Sequence, residues 1–334
     1  MKIVFAGTPE PAAVALEHLI ADERIEVVAV VTQPDAKRGR GRSLRPSKVA
    51  EVAEKAAIPT YKWPSLKAGT ESGDEARAVL SNLAERGVSA AAVVAYGNLI
   101  PTDLLDVFEH GWVNLHYSLL PRWRGAAPVQ AALAAGDEYT GASIFRIEQG
   151  LDTGPVAAQL TQKIAIEDTA DDLLASLTYA GRELLADALI EMDDGSAELS
   201  AQDDEAATHA PKIHPADAQI DWKQPAEVIQ RTARAHTPAP GAWTLLDDQR
   251  FKIGMLLPTS PTDASELAEL GAGDVVASNK KVFVGTGTSA LEITLIQPPG
   301  KKMMDAAAWA RGQQELLAKH PTFSARNTEA ETGE

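Results

Sequence analysis

Asn114-Leu115-His116 closes a β-prone run, Val113–His116, and leads into Tyr117-Ser118-Leu119-Leu120-Pro121-Arg122-Trp123-Arg124-Gly125. Side chains two apart on a strand leave from the same face, so Asn114 and His116 are expected to project together. A side-chain amide can aim an N–H at an oxygen gaining negative charge. An imidazole can carry a proton near neutral pH. Asp152 lies in Gln149-Gly150-Leu151-Asp152-Thr153-Gly154, a Gly-flanked turn after the next β-prone run, and could return its carboxylate to the same edge. The three suit acyl-group transfer: a donor toward an oxyanion, a histidine for proton traffic and an aspartate to hold and tune it. A lone histidine is more often structural. An amide and an imidazole sharing one face at a strand's C-terminal end are harder to dismiss, because open α/β sheets bind ligands there. His110, His209 and His214 show no H-E-x-x-H or comparable spacing, so no metal is expected.

A second feature is basic. From Asp35 to Lys48 the chain carries Lys37, Arg38, Arg40, Arg42, Arg45 and Lys48 with no further acid, and Gly39 and Gly41 mark a mobile loop. Most charge runs are solvated surface. Here the like charges repel one another and point to a phosphate-rich partner. Without interleaved aromatics, contact with a phosphate backbone is expected rather than base stacking. The net charge of −16 argues against blanket attraction to nucleic acid or an anionic membrane. A compact cationic loop still acts locally, because charges beyond about 8 Å are screened at physiological salt.

The elements that must position these residues alternate. Lys2–Ala6, Val27–Thr32, Ala90–Ala95, Val113–His116 and Ala142–Ile147 read as strands, and Pro9–Ile20, Ala127–Ala135 and Asp168–Glu191 as helices. The fold class expected is α/β, a Rossmann-like parallel sheet in an N-terminal domain over 1–192. Low apolar density marks 193–214 as a linker. Residues 215–318 then carry a helix at Ala226–Ala235 and short β segments split by Gly and Pro, expected to form a small OB-like β-barrel. The tail 319–334 is expected to be disordered, frayed from about Thr322. At 334 residues, 45% hydrophobic and 23% charged, the chain is ordinary for a globular protein of two domains. The absence of cysteine excludes thiolate and disulfide chemistry. No apolar run reaches the roughly 18 residues of a membrane span, and the N-terminus is too short for a signal peptide, so a cytoplasmic enzyme with no membrane partner is expected. Ala6-Gly7-Thr8-Pro9 opens like a dinucleotide site but lacks G-x-G-x-x-G. Gly7 is read as a tight turn at a strand end.

Asn114-x-His116-x-Ser118-Leu119-Leu120-Pro121 with Gly125, followed by Gly150-x-Asp152-x-Gly154, resembles the formyltransferases that use 10-formyltetrahydrofolate. Val30-Val31-Thr32-Gln33-Pro34-Asp35, Gly39-Arg40-Gly41, Val94-Ala95-Tyr96-Gly97, Arg122-Trp123-Arg124-Gly125-Ala126-Ala127-Pro128, Ala210-Pro211-Lys212-Ile213, Ile220-Asp221-Trp222 and Pro240-Gly241-Ala242 extend the likeness to about residue 315. Within that superfamily the basic loop and the C-terminal region are similar to the branch that formylates the α-amine of initiator methionyl-tRNA for translation initiation. The resemblance implies that Asn114, His116 and Asp152 are catalytic. It places the folate donor against Val94, Ala95, Tyr96 and Gly97, against Ser118, Leu119, Leu120, Pro121, Arg122, Trp123 and Arg124, and against Gln149, Gly150 and Leu151. It assigns tRNA contact to Lys37, Arg38, Arg40, Arg42 and Arg45, with more from the C-terminal domain. It implies no metal, and a monomer. The family often has Phe after Gly-Thr-Pro-acid, where this chain has Pro11.

Rival readings share parts of this pattern. A sugar-nucleotide N-formyltransferase would use the same donor and triad, but the arginine-rich segment and Ile220-Asp221-Trp222 favour tRNA. A glycinamide ribonucleotide formyltransferase would end near the close of the first domain. A formyl-folate hydrolase needs neither an amine acceptor nor a basic loop. A catalytically silent tRNA-binding protein would be expected to have lost Asn114, His116 or Asp152.

Overall fold

The run Lys2–Gly7 (β1) has every residue after Lys2 buried, the pattern of a central parallel strand covered on both faces. The computed structural model describes residues 1–38 and 43–325. Helix α1 (Glu10–Ala21) follows, with Pro11 in its first turn, where a missing N–H costs no bond. Next come β2 (Glu26–Thr32), a two-stranded antiparallel ribbon of β3 (Ala36–Arg38) and β4 (Ser43–Arg45), and α2 (Lys48–Lys55). Ser47 caps α2 by accepting from the Ala50 N–H at 3.0 Å. The chain continues through β5 (Thr60–Lys62), α3 (Glu71–Glu85), β6 (Ala90–Val94), β7 (Trp112–His116), β8 (Arg124–Gly125), α4 (Pro128–Ala135), β9 (Tyr139–Arg146), β10 (Val156–Lys163) and α5 (Ala170–Asp193).

These strands form a seven-stranded sheet in the order β10-β9-β7-β6-β1-β2-β5. The five from β7 to β5 are parallel, whereas β9 runs antiparallel to β7, and β10 to β9. The Rossmann-like parallel sheet is thus extended at one edge by two antiparallel strands. There β10 alternates half-buried and exposed residues, as an edge strand covered on one face does. On one face Val4, Ala6, Val31, Ala91 and Val93 pack with Ala76 and Leu80 of α3; Ile3, Phe5 and Val30, from the alternate positions, are equally buried.

The chain divides into two compact units. The first comprises Met1–Pro128, Tyr139–Lys163 and Leu174–Ala210; the second comprises Val129–Glu138, Ile164–Leu173 and Pro211–Glu334. The segment read as a linker joins the first unit: Ser200 bridges to Val156, and β11 (His209–Ala210) pairs with β8. The segment Ile164–Leu173, read as part of the first domain, clusters with the second, where the Arg234 guanidinium donates to the carbonyls of Ala165 and Asp168 at 3.2 and 2.9 Å. Composition cannot announce such pairings, since they depend on partners far along the chain.

In the second unit α6 (Ala226–Ala235) is followed by β12 (Trp243–Leu246), β13 (Gln249–Ile253), β14 (Leu256–Pro258), α7 (Pro261–Glu266), β15 (Val275–Ser278), β16 (Lys281–Val284), β17 (Leu291–Ile293), β18 (Leu295–Gln297), β19 (Met304–Asp305), α8 (Ala306–Arg311) and α9 (Gln314–Leu317). The strands form two antiparallel four-stranded sheets, β12-β13-β18-β19 and β14-β17-β16-β15. The chain bends from one to the other twice, with Gly254 N–H donating to Leu295 O at 2.9 Å and Thr294 N–H to Met255 O at 3.0 Å. Both sheets and α6 enclose one core of Trp222, Ile229, Phe251, Val282, Ile293 and Trp309. The expected fraying from 319 is corrected through residue 325. Phe323 is 2% exposed and stacks on Trp222, and Leu245 and Ser324 exchange backbone hydrogen bonds. One aromatic anchor in an otherwise polar run holds the segment down. Residues 326–334 of that expected tail lie outside the described residues. Among the described residues no helix is long and apolar enough to cross a membrane.

Candidate active site

Strand β7 pairs residue by residue with β9, Asn114 opposite Phe145 and His116 opposite Ser143, so the four side chains share one face of the sheet. The C-terminal ends of β1, β6 and β7 lie at the same edge because those strands are parallel neighbours. At this edge Gly7 permits a close approach, since a Cβ there would meet the Val94 carbonyl at 2.8 Å. The Thr8 hydroxyl then donates to Tyr96 O at 2.8 Å, tying the β1 and β6 loops together.

His116 is buried, with a side chain 6% exposed. Its Nε2 lies 2.9 Å from the Trp123 carbonyl, which can only accept, so Nε2 carries the hydrogen. That leaves Nδ1 as the titrating nitrogen, 3.7 Å from Asp152 Oδ2. The same Oδ2 accepts from the Gly125 N–H at 2.7 Å. Phe145 meets the imidazole edge to face, ring centroids 6.2 Å apart. Burial pushes the imidazole below the ordinary histidine value of 6.5, opposed by the charge of Asp152 and by the Trp123 carbonyl. The resting ring is thus neutral at neutral pH, held by desolvation despite a carboxylate neighbour. Asn114, half-buried, spends its amide on no other described residue, so its donors are free.

The turn bearing Asp152 reaches His116 because the residue adopts a left-handed backbone, φ +54°. Gly125, φ +123°, lets β8 lie against β11, where a Cβ would stand 2.5 Å from Ala210 O. Between β7 and β8 the loop is pinned from several sides. Ser118 Oγ donates to Arg122 O at 2.6 Å, Ser143 Oγ to Ser118 O at 2.6 Å, and Gln159 Nε2 to Leu120 O at 2.9 Å. The Leu120–Pro121 peptide is cis.

Asn114, His116 and Asp152 are therefore brought together, while the residues expected around a folate divide. Ala95, Gly97, Gln149, Gly150 and Leu151 are exposed, and Leu119, Pro121 and Trp123 are half-buried. Ala95 and Gly97 have left-handed backbones, and the Arg122 guanidinium lies over the Trp123 ring at 4.4 Å. Val94, Tyr96, Ser118, Leu120 and Arg124 are buried. The Ser118 hydroxyl is taken by Arg122 O, and the Arg124 guanidinium by Gln202 and Asp204.

The basic stretch is a ribbon stem rather than a loop throughout: Lys37 and Arg38 lie on β3 and Arg45 on β4, with Lys37 and Arg45 exposed. Arg40 and Arg42 fall outside the described residues. Sequence reasoning missed Gln202 and Thr208, whose side chains hold the Asp152 turn and the Trp123 N–H. No spacing rule flags them, because they come from the segment read as linker. Among the described residues no group of three His, Cys, Asp or Glu could hold a metal ion.

A polarised hydrogen-bond donor, a neutral buried imidazole and a carboxylate at one sheet edge can stabilise an oxyanion and take up a proton. Comparison with known proteins agrees with that chemistry. A family model described as "Formyl transferase" matches residues 1–189, and one described as "Formyl transferase, C-terminal domain" matches 212–314. The chain is 88% identical over 328 residues to the methionyl-tRNA formyltransferase of Corynebacterium jeikeium, covering 98% of this chain and 99% of that one. It is 48% identical over 312 residues to the methionyl-tRNA formyltransferase of Streptomyces griseus, covering 93% and 96%. Among solved structures, the N-formyltransferase of Helicobacter canadensis, crystallised with folinic acid and dTDP-3-aminofucose, superposes with a TM-score of 0.64 at 17% identity. That match covers 88% of this chain and 99% of the other, and shows the shared fold.

Proposed function

The chain belongs to the formyl transferase family, and from that premise we propose that it moves a formyl group from 10-formyltetrahydrofolate to the α-amino group of initiator methionyl-tRNA, acting as a monomer. One observation carries the choice of acceptor: the likeness to proteins named methionyl-tRNA formyltransferase runs through nearly the whole chain, C-terminal unit included. The chemistry rests on the Asn114, His116 and Asp152 arrangement.

The α-amine, with a reference pKa of about 7.7 to 8.0 that ester activation lowers, attacks the formyl carbon as the neutral base. Its lone pair forms the new N–C bond, and the carbonyl π pair moves onto oxygen. The free Asn114 amide donates to that oxyanion. His116, neutral at rest, takes the proton shed by the attacking nitrogen at Nδ1, directly or through one water. Asp152, 3.7 Å away, stabilises the imidazolium so formed. His116 starts neutral because burial outweighs the carboxylate in the resting chain. When the oxyanion collapses, the bond to the folate nitrogen breaks and His116 returns the proton to it. The exposed residues Ala95, Gly97, Gln149, Gly150 and Leu151, with half-buried Leu119, Pro121 and Trp123, offer the surface for the folate head. Lys37, Arg38, Arg40, Arg42 and Arg45 meet the tRNA backbone as point charges.

The test offers the purified chain 10-formyltetrahydrofolate with methionyl-initiator tRNA, uncharged tRNA, free methionine or a dTDP-amino sugar. Formylation of the charged tRNA alone is the expected result. Efficient formylation of the amino sugar or of free methionine would overturn the reading.

A further inference from the structure

The two peptide groups that flank Arg124 both address the His116–Asp152 couple. The peptide between Trp123 and Arg124 offers its carbonyl to His116 Nε2 at 2.9 Å, and the next peptide gives the Gly125 N–H to Asp152 Oδ2 at 2.7 Å. What fixes Arg124 therefore fixes both. Arg124 is 4% exposed, and its Nε donates to Gln202 Oε1 at 3.0 Å. On its other side the Gln202 amide nitrogen donates to Asp152 O at 2.8 Å and to Gly154 O at 2.7 Å. One planar amide thus joins the Asp152 turn to β8, with both N–H groups and the oxygen engaged.

We propose that Gln202 is a positioning residue for formyl transfer: its side-chain amide sets the Asp152 turn and β8 at the spacing from which Asp152 and the Trp123 carbonyl act on His116. The proposal rests on the formyl-transfer reading above. Asp152 needs such a holder, because a non-glycine residue keeps a left-handed backbone only where its surroundings over-determine it. Its carboxylate is held by Gly125 and its carbonyl by Gln202, so the turn is gripped at both ends. The other partner of Arg124, Asp204, has a side chain 82% exposed, and an ion pair in water holds little. Half-buried Gln202 is the partner that decides. Thr208 assists from the same segment by accepting from the Trp123 N–H at 2.9 Å.

Two variants test this. Gln202→Ala removes the clamp. Gln202→Glu keeps an oxygen for Arg124 but turns carboxylate oxygens toward the carbonyls of Asp152 and Gly154, which only accept. The readouts are kcat and KM with charged tRNA, thermal melting, and the NMR titration of the His116 imidazole, assigned by its loss in His116→Ala. Both variants are expected to lose about 10- to 100-fold in kcat, the scale of a misplacement near 1 Å, with KM for tRNA little changed. The imidazole midpoint moves to lower pH, because a displaced Asp152 no longer favours the charged ring. If Gln202→Ala does not fold, Gln202→Glu carries the test. A folded Gln202→Glu protein with parental kcat and an unmoved imidazole midpoint overturns the proposal, as does a fall in melting temperature alone. If the unaltered chain formylates no charged tRNA, the functional reading fails, and the substrate-free titration still decides whether Gln202 positions the couple.

Discussion

Truncating Asn114 to alanine separates chemistry from architecture. The Asn114 amide is bonded to no other described residue. Its removal breaks no hydrogen bond among the described residues, so the stability change stays within about 0.5 kcal/mol. In the proposed reaction the same amide donates to the developing oxyanion, and one such donor is worth about 10²- to 10³-fold in turnover, roughly 2.7 to 4 kcal/mol. Asn114→Ala should therefore melt as the parent does, bind charged tRNA as the parent does, and lose two to three decades of kcat. Asn114→Asp keeps the shape but places an acceptor-only carboxylate against the oxyanion, beside Asp152, and should lose more. The assay is initial-rate formylation at saturating donor and acceptor, with tRNA affinity by filter binding and melting by calorimetry. Near-parental turnover in Asn114→Ala would remove the amide from the mechanism. A loss of turnover matched by weaker tRNA binding or a lowered melting temperature would make Asn114 a structural residue.

Other outcomes follow from the same arrangement. Because burial holds His116 below 6.5 in the folded chain, the unfolded chain takes up the proton first as pH falls. The histidine's contribution to stability is thus complete above 6.5 and lost as pH drops toward the folded value, so His116→Gln should flatten denaturant stability across that window. Asp152→Asn removes the charge that raises the imidazole, and the NMR midpoint should fall further; a midpoint that rises or stays would contradict the assigned balance. Replacing Lys37 and Arg45 with alanine should lower the slope of log affinity for tRNA against log salt by about one for each phosphate no longer neutralised. An unchanged slope would mark the ribbon as solvated surface. Phe323→Ala should cost about 3 to 5 kcal/mol by emptying the stack on Trp222, read as a lowered melting temperature.

Much of the site was legible in the order of residues because its chemistry is local. Asn114 and His116 share a face through strand periodicity, which holds for any strand at that place. Strand and helix positions were readable where the apolar pattern was long, as in Lys2–Gly7 and Ala170–Asp193. Short elements escaped. The helix Lys48–Lys55 and the strand Thr60–Lys62 span too few residues for a period to stand out. Strand direction was also hidden: the pattern of β9 is the same whether it runs parallel or antiparallel, and only its pairing with β7 settles it.

Sequence by itself determined which groups could react, since an amide, an imidazole and a carboxylate keep their chemistry wherever they are placed. Only tertiary structure decided the state in which they wait. His116 is neutral because of what buries it, Asp152 faces it because a left-handed turn is gripped by Gln202 from far along the chain, and Phe323 is core rather than tail because Trp222 lies within stacking distance. Solvation and distance are properties of residues far apart in sequence, and no local pattern encodes them.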